Sequence, residues 1–321
     1  MGRLIWIIDE EWADYDAETA LLRAWDPECE LKFSHYDYAA DLETFGTRAD
    51  AILAQVYAPL PAATIRRLEQ CRGIALFGGG YDRVDVAAAR AMGISVTNVQ
   101  GYCAEDLADY VLAAVFHFNK ALTGFEGCAG RGVWGAQAVE APPHRVSAST
   151  LLVVGCGRIG QTVARRAGAL GMTVLGYDPH RTQEELSRAG IQKTELTDGL
   201  SRADYISVNA RYCPETDGLL GLRELRHCKP TARLINTSRG RVLVERELVE
   251  AVRTGVIGGA VVDVVSNEPP TGEEEIFHCP GILVTPHVSY ISQESFAELK
   301  RRSAQNAIDM MEGRRPADVV N

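Results

Sequence analysis

A glycine-rich turn at residues 155–160 places the strongest constraint on the fold of this chain. It contains Gly155, Gly157 and Gly160, follows the apolar run Leu151–Val154 and opens a helical pattern over Arg158–Leu170. The first glycine permits a tight turn, the second lets another group approach the backbone, and the third lets the helix pack on the strand. A strand, such a turn and a helix in this order predict part of a doubly wound parallel sheet.

The same turn indicates an anionic ligand. A helix that begins at Arg158 would direct backbone N–H groups and the positive end of its dipole toward a pyrophosphate. Asp178 follows the next predicted strand about 20 residues later, a spacing that suits a carboxylate accepting hydrogen bonds from ribose hydroxyls. Such a carboxylate would repel a 2′-phosphate, so the pattern favours NAD over NADP. The alternative interpretation of Asp178 is the N-cap of a helix.

Short apolar runs alternate with helical patterns along the rest of the chain, which predicts parallel α/β sheets. The predicted strands are Leu4–Ile8, Ala51–Val56, Gly73–Phe77, Ile94–Thr97, Leu151–Val154, Thr173–Tyr177, Tyr205–Val208, Arg233–Asn236, Gly259–Asp263 and Ile282–Thr285. The predicted helices are Pro61–Leu68, with the proline in its first turn, Asp85–Met92, Ala104–Phe118, Arg158–Leu170, Arg246–Arg253 and Gln293–Met311, the last with Ser292 as its N-cap. The Gly- and Pro-rich stretch from Gly124 to about Ser149 is predicted to be an extended connection.

The chain length and the net charge limit the number of domains and the kinds of partner that are expected. The 321 residues exceed the usual size of one domain, so two domains are expected. The 33 basic and 43 acidic side chains give a formal net charge of −10, which argues against nucleic acid as a partner. A few placed arginines or helix N-termini can still bind a small anion locally.

The cysteine spacing and the length of the apolar segments indicate whether the chain binds a metal and where in the cell it is expected. The eight cysteines form no C-x-x-C pair, so no zinc site is predicted, and most are expected to be small buried residues in a reducing compartment. No apolar stretch reaches membrane-spanning length, and Met1–Asp9 lacks the pattern of a signal peptide. These features predict a cytoplasmic protein with no membrane partner.

Three ionisable residues follow the last three predicted strands. They are Arg239, Glu268 and His287. Because ligands bind outside the carboxyl ends of parallel strands, we expect these side chains to serve one crevice. A histidine can move a hydroxyl proton near neutral pH, a carboxylate can orient its ring, and a guanidinium can hold a carboxylate and polarise the adjacent carbonyl. Taken singly, an arginine after a strand is more often part of a surface ion pair, and a histidine is more often a structural residue. A glutamate before proline is often only a loop residue.

Taken together, these motifs resemble the D-isomer-specific 2-hydroxyacid dehydrogenase family over nearly the whole chain. The glycine turn, Asp178, Asn236-Thr-Ser-Arg-Gly, Asp263 with the later Asn-Glu-Pro, and Thr-Pro-His occur in the order and spacing of that family. Residues 102–110 and the ending Glu-Gly-Arg-Arg-Pro look most like its C-terminal-binding-protein subgroup. The resemblance implies an NAD-dependent oxidoreductase that acts on the CH–OH group of 2-hydroxy acids, with hydride passing between nicotinamide C4 and substrate C2. The alternative is an NAD(H)-sensing, corepressor-like binding protein with little turnover.

The resemblance also implies residue roles. Arg239 would orient the substrate, Glu268 would pair with the histidine, and His287 would be the general acid and base. The implied cofactor-binding residues are Gly155, Gly157, Arg158, Ile159, Gly160, Asp178, Leu107, Asn209, Arg211, Thr237, Ser238 and Asp263. The implied substrate-binding residues are Gly79, Gly80, Tyr57, Tyr102, Tyr290 and Arg239, with backbone N–H groups of the two glycines binding the carboxylate.

The domain organisation implied by the family is discontinuous. Residues 1–100 and 289–321 would form a flavodoxin-like substrate domain, and residues 101–288 a Rossmann NAD-binding domain. The implied partners are a small anionic 2-hydroxy or 2-oxo acid and a second copy of the chain, joined through the NAD-binding domain. Val264-Val265-Ser266 replaces a stretch that usually contains an aromatic residue, and Ser289-Tyr290-Ile291 stands where the closest subgroup tends to have Ala-Trp-Tyr. These two departures leave the identity of the substrate open. Arg211 stands where many relatives have proline.

Overall fold

All strand pairings within the two sheets of this protein are parallel. The computed structural model describes residues 2–139 and 141–321. The sheets belong to two units, one built from the chain up to Tyr102 together with Ser292–Asn321, the other from Cys103–Ile291. Met1 and Glu140 lie outside the described residues, as do the parts of the predicted first domain and the predicted extended connection that fall on them.

Within the described residues, the discontinuous unit contains five strands in the order β2-β1-β3-β4-β5, the flavodoxin-like arrangement. Its strands are β1 (Leu4–Ile8), β2 (Glu30–Ser34), β3 (Ala51–Gln55), β4 (Gly73–Phe77) and β5 (Ser95–Thr97). Its helices are α1 (Asp16–Trp25), α2 (Ala39–Thr44), α3 (Ala62–Ile65), α4 (Val86–Ala91) and α12 (Gln293–Met311). Strands β1, β3 and β4 are buried along their whole length, as expected when helices cover both faces of a parallel sheet.

The described part of the second unit contains seven strands in the order β12-β11-β10-β9-β6-β7-β8, the Rossmann arrangement with one further outer strand. Its strands are β6 (Thr150–Val154), β7 (Thr173–Tyr177), β8 (Gln192–Lys193), β9 (Tyr205–Val208), β10 (Arg233–Asn236), β11 (Gly259–Val262) and β12 (Ile282–Val284). Its helices are α5 (Ala104–Lys120), α6 (Leu122–Gly130), α7 (Arg158–Ala169), α8 (Gln183–Ser187), α9 (Leu196–Arg202), α10 (Leu222–Leu225) and α11 (Glu245–Arg253). The strand order reverses between β6 and β9, which places the ligand crevice of this fold at their carboxyl ends.

The predicted fold class of two doubly wound parallel sheets is confirmed. Strands β1, β4, β7, β9 and β10 have the predicted bounds. Helix α12 also has its predicted bounds, with Ser292 as N-cap. Strands β2 and β8 and helices α1, α2, α8, α9 and α10 were not predicted. Most residues of β2 are exposed or half-buried, so the segment lacks the apolar run that marks the central strands.

The prediction of an extended connection from Gly124 to Ser149 is wrong over its first part. Residues Leu122–Gly130 form α6, and short 3-10 turns occupy Gly135–Ala138 and Val146–Ala148. Ala121 adopts a left-handed conformation with φ of 45° between α5 and α6. The chain turns at that residue and then resumes helical hydrogen bonding, since the Phe125 N–H donates to the Ala121 carbonyl at 3.1 Å. Local backbone bonds therefore outweigh the low helix propensity of the glycines, about 1 kcal/mol each relative to alanine.

The cap of α12 yields a stability prediction. The Ser295 N–H donates to the Ser292 hydroxyl at 3.0 Å, and the Ser292 N–H donates to the Ser295 hydroxyl at 2.9 Å. Replacing Ser292 by alanine leaves one helix-terminal N–H without its acceptor, so the free energy of unfolding in urea should fall by about 1 kcal/mol. Ser187→Ala is the control, because that exposed hydroxyl bonds Gln183 one turn earlier in α8 and caps no helix N-terminus. Equal losses in both variants would contradict the capping role.

Candidate functional site

The glycine turn joins β6 to α7, and its glycines differ in what surrounds them. Gly155 has φ of 89°, and a Cβ built there would lie 2.5 Å from the backbone nitrogen of Ala210. A Cβ on Gly160 would lie 2.2 Å from the carbonyl oxygen of Gly155. A Cβ on Gly157 would meet no heavy atom of the described chain within 4 Å. Packing therefore requires the outer two glycines, whereas the middle one borders open space at the N-terminus of α7.

Asp178, directly after β7, is hydrogen-bonded to this turn. Its Oδ2 accepts the Cys156 N–H at 2.9 Å, and its Oδ1 accepts the His180 N–H at 2.9 Å. It does not cap α8, whose N-cap is Thr182, so the alternative interpretation of Asp178 as a helix cap is wrong. Each carboxylate oxygen can accept a second hydrogen bond. Asp178 is thus placed beside the turn and retains acceptor capacity for hydroxyl groups.

Cys156 lies within the turn as a neutral side chain. Burial, with a smaller contribution from Asp178, raises the pKa of its thiol to about 12. A thiolate here would repel a phosphate, and the raised pKa prevents that charge from forming near neutral pH. The described chain contains all eight cysteines as free thiols, six of them buried, which confirms the expectation of small buried residues.

Two buried polar atoms at the ends of β9 and β10 provide a test of whether a cofactor fits. Asn209 donates its N–H to the Val154 carbonyl at 2.7 Å, which fixes it beside the turn, yet its Oδ1 has no hydrogen-bond partner among residues 2–139 and 141–321. The Thr237 hydroxyl is likewise buried and unpartnered within those ranges. An unsatisfied buried polar atom costs about 1–3 kcal/mol, so a polar ligand there would be favourable. Together with the open space at Gly157, these atoms fit a bound dinucleotide.

Arg239 lies in a rigid loop after β10. The Asn236 side chain organises this loop, because its Oδ1 accepts the Ser238 N–H at 3.1 Å and its Nδ2 donates to the Arg239 carbonyl at 3.0 Å. Gly240 packs against the backbone of Val265, where a Cβ would lie 2.0 Å from the carbonyl carbon. The half-buried Arg239 side chain donates from Nη1 to the Ser238 carbonyl at 3.0 Å. The loop thus presents a positioned guanidinium at a strand end.

His287 and Glu268 form the predicted pair. The His287 Nδ1 lies 3.3 Å from the Glu268 Oε1, and only 17% and 12% of the two side chains are exposed. The same Glu268 oxygen accepts the Val265 N–H at 3.1 Å. Tyr290 contacts the imidazole edge to face, with ring centroids 6.2 Å apart. A carboxylate on Nδ1 fixes both the orientation and the tautomer of the ring.

The buried carboxylate of Asp263 holds the backbone on both sides of His287. Its Oδ1 accepts the Val288 N–H at 3.0 Å and the Thr285 hydroxyl, and its Oδ2 accepts the Ser289 N–H at 2.9 Å. The Asp263 carbonyl accepts the His287 N–H at 2.9 Å. These bonds maintain His287 at φ of 54°, a left-handed conformation that is uncommon outside glycine and is found at functional sites.

Tyr110 on α5 completes this network, and the sequence analysis missed it. The single Thr285 proton goes to the Asp263 carboxylate, so the Tyr110 hydroxyl must donate to Thr285. Burial raises the Tyr110 pKa to about 12, which keeps the hydroxyl protonated as that donor. The available signal was its position three residues after Leu107 on the apolar stripe of α5.

The other predicted residues lie in both units. Arg158 and Ile159 are the first two residues of α7, Leu107 is buried on α5, and Arg211 follows β9 on the surface. Gly79, Gly80, Tyr57 and Tyr102 belong to the discontinuous unit. Among the described residues there is no cluster of His, Cys, Asp or Glu suited to a metal ion. No described helix has the length and apolar character needed to cross a membrane.

Comparison with known proteins agrees with this geometry. The family model for the D-isomer specific 2-hydroxyacid dehydrogenase, NAD binding domain, matches residues 112–289. A glycerate dehydrogenase of Methylorubrum extorquens is 33% identical over 268 residues, covering 82% of each chain. A glyoxylate reductase of Korarchaeum cryptofilum is 31% identical over 274 residues, covering 85% of this chain and 82% of that one. The crystal structure of the TT0316 protein from Thermus thermophilus has a TM-score of 0.84 at 28% identity, covering 99% of this chain and 100% of that one.

The glycine turn provides a matched pair of variants. Gly157→Ala adds a methyl group in open space at an ordinary φ of −72°, so the free energy of unfolding should hold while NAD affinity falls, because the methyl occupies space next to the helix N-terminus. Gly160→Ala forces a methyl group against backbone and should destabilise the protein by about 1–3 kcal/mol. Urea unfolding measures the stability of each variant, and calorimetric titration measures its affinity for NAD. Unchanged NAD affinity in Gly157→Ala would contradict binding at this turn.

Proposed function

The chain belongs to the D-isomer-specific 2-hydroxyacid dehydrogenase family of NAD-dependent oxidoreductases, and from this premise we propose that it reduces short 2-oxo acids. The observation that carries the proposal is the His287–Glu268 pair, with 3.3 Å between Nδ1 and Oε1. Both residues lie in the same unit as the glycine turn, Glu268 in the segment after β11 and His287 just after β12. An oriented imidazole at a strand end is the group that a carbonyl reduction requires as its acid.

In this proposal, different residues of the chain bind the cofactor, transfer the proton and orient the histidine. NAD(H), when bound, supplies or accepts the hydride at nicotinamide C4. Asp178, Asn209, Thr237 and the glycine turn would hold it. His287 donates a proton to the carbonyl oxygen of the substrate as C2 is reduced, and it removes that proton in the reverse direction. Glu268 orients the ring and stabilises its positive charge.

Arg239 binds the substrate in this proposal. Its planar guanidinium can hold a carboxylate with two parallel hydrogen bonds and polarise the carbonyl oxygen next to it. The structured loop around Asn236 supports the role because it limits where the arginine can reach. Substrate contacts by Gly79, Gly80, Tyr57, Tyr102 and Tyr290 stay predictions. Cofactor contacts by Leu107, Arg158, Ile159, Arg211, Ser238 and Asp263 also stay predictions.

The proposed substrate class is a 2-oxo acid of two or three carbons. The named activities of the reported relatives concern glycerate and glyoxylate, and both relatives span most of this chain. NADH oxidation should be measured with glyoxylate, hydroxypyruvate, pyruvate and longer 2-oxo acids. The Asp178 carboxylate should make NADPH the poorer reductant. The narrower resemblance to C-terminal-binding proteins, and with it the alternative of a corepressor-like sensor, gains no support from these relatives.

Two histidines distinguish proton transfer from a general effect of losing an imidazole. His287→Ala should lower kcat by about 10²–10⁴-fold, because no acid then protonates the forming alkoxide. His278→Ala is the matched control, since His278 is exposed on a 3-10 turn of the same unit and should keep its kcat. Steady-state rates with NADH and glyoxylate measure both. A near wild-type kcat in His287→Ala would refute the assignment.

We also propose a homodimer formed through the NAD-binding unit. None of the nine described residues of α6 is buried. Leu122 and Trp134, on and just after that helix, are 74% and 78% exposed. Isolated helices of this length are marginal in water, so a partner surface that covers α6 would stabilise it. A second copy is the occupant that the family resemblance implies. The free thiols fit a reducing compartment, and we propose a cytoplasmic location on that ground.

The oligomer can be tested on the apolar segment itself. Leu122→Glu combined with Trp134→Glu places charges where apolar contact is proposed, so sedimentation equilibrium should give the monomer mass. Met92→Glu is the control, because it also replaces an exposed apolar residue but lies on the discontinuous unit. The control should retain the dimer mass. A dimer in the double variant, or a monomer in the wild type, would contradict the proposal.

A further inference from the structure

The loop after β4 has two consecutive carbonyls fixed on the same side. The Gly78 carbonyl accepts the Val99 N–H at 2.8 Å. The Gly79 carbonyl accepts the Asn98 Nδ2 at 2.7 Å. Gly78 itself has φ of 151°, and a Cβ there would lie 2.5 Å from the Val56 Cγ1, so the first residue of the loop must be glycine. Both carbonyls therefore point toward residues 98 and 99.

Peptide geometry then determines where the adjacent N–H groups point. In a planar trans peptide the C=O of one residue and the N–H of the next point in opposite directions. The N–H groups of Gly79 and Gly80 consequently both point away from Asn98 and Val99. Two successive N–H groups on one side form a concave anion-binding arrangement, whereas they would point to opposite sides in an extended strand.

We propose that Asn98 is a positioning residue for substrate binding, because its side-chain amide maintains the Gly79–Gly80 peptide with the N–H toward the substrate carboxylate. This inference rests on the proposed reduction of 2-oxo acids. Glycine on both sides of a peptide allows it to rotate at little steric cost. Without the Asn98 donor, the peptide can turn its carbonyl oxygen toward the anion, which replaces attraction by repulsion.

Asn98 is itself firmly held in its unit. Its N–H donates to the Asp318 carbonyl at 3.3 Å, and its carbonyl accepts the Asn306 Nδ2 at 3.3 Å. Three buried polar atoms near these strand ends, the Gln55 Nε2, the Thr97 Oγ1 and the Asn98 Oδ1, have no partner in the described part of the chain. Gln55 and Thr97 are the last residues of β3 and β5, on either side of β4. A rigid frame with unsatisfied polar atoms is suited to a polar ligand rather than an apolar one.

The test uses two substitutions of Asn98 and one matched control. Asn98→Ala removes the donor, and Asn98→Asp keeps the shape but places an oxygen against the Gly79 carbonyl. Asn119→Ala is the control because Asn119 is also buried, donates Nδ2 to a backbone carbonyl (His144, 2.9 Å), and has an unpartnered Oδ1 within the described residues. The probes are glyoxylate as substrate and oxamate, an unreactive 2-oxo-acid analogue, as inhibitor.

We expect both Asn98 variants to raise the KM for glyoxylate and the Ki for oxamate about tenfold or more, since each weakens hydrogen bonds to a charged group. In both Asn98 variants the KM for NADH should stay within about twofold of the wild-type value. In Asn119→Ala the KM for NADH and the KM for glyoxylate should both stay within that range. Unchanged glyoxylate and oxamate constants would overturn the inference. The inference would also be overturned if the Asn98 variants lost thermal stability and NADH binding together, to the same extent as Asn119→Ala. A wild type that neither reduces 2-oxo acids nor binds oxamate would instead refute the proposed function, and this inference with it.

Discussion

The buried carboxylate of Asp263 is the interaction on which the geometry of the site depends. A charge taken out of water is costly unless hydrogen bonds replace its hydration. Here Thr285, Val288 and Ser289 supply them, and each donor belongs to the segment that carries His287. Because Thr285 also accepts from Tyr110, helix α5 takes part in placing a residue that follows β12. The position of the imidazole therefore depends on the residue that follows β11, on the segment that follows β12 and on helix α5 together.

The parallel sheets explain why the polar residues occur where they do. Consecutive strands deliver their carboxyl ends to one edge, so Asn209, Thr237, Asp263 and His287 follow four neighbouring strands of the Rossmann sheet. At the point of strand reversal the glycine turn leaves open space, and Asp178 borders that turn through the Cys156 N–H. The same rule operates in the other unit, where the loop of Gly78–Gly80 follows the buried strand β4.

The sequence predicts these features unequally, for physical reasons. Central strands and the capped helix α12 were predictable because burial and capping leave local patterns, as the apolar run of β9 and the cap at Ser292 show. Glu268 and His287 were predictable as residues at strand ends. Tyr110 was not, because the apolar stripe of α5 does not reveal the contact of its hydroxyl with Thr285. Asn98 was not, because its partner is a backbone carbonyl, which no side-chain pattern marks. Helix α6 was missed because glycine spacing resembles a loop when no buried stripe marks the helix.

The central claim is that Glu268 contributes to catalysis only through His287, whose ring it orients and whose positive charge it stabilises. A double-mutant cycle on kcat for glyoxylate reduction tests it most directly, with Glu268→Gln, His287→Ala and the combined variant. The account predicts that Glu268→Gln lowers kcat strongly in the wild-type background and has almost no further effect once His287 is alanine. Independent, multiplying losses in the combined variant would contradict it, because Glu268 would then contribute to catalysis by a route that does not pass through the histidine.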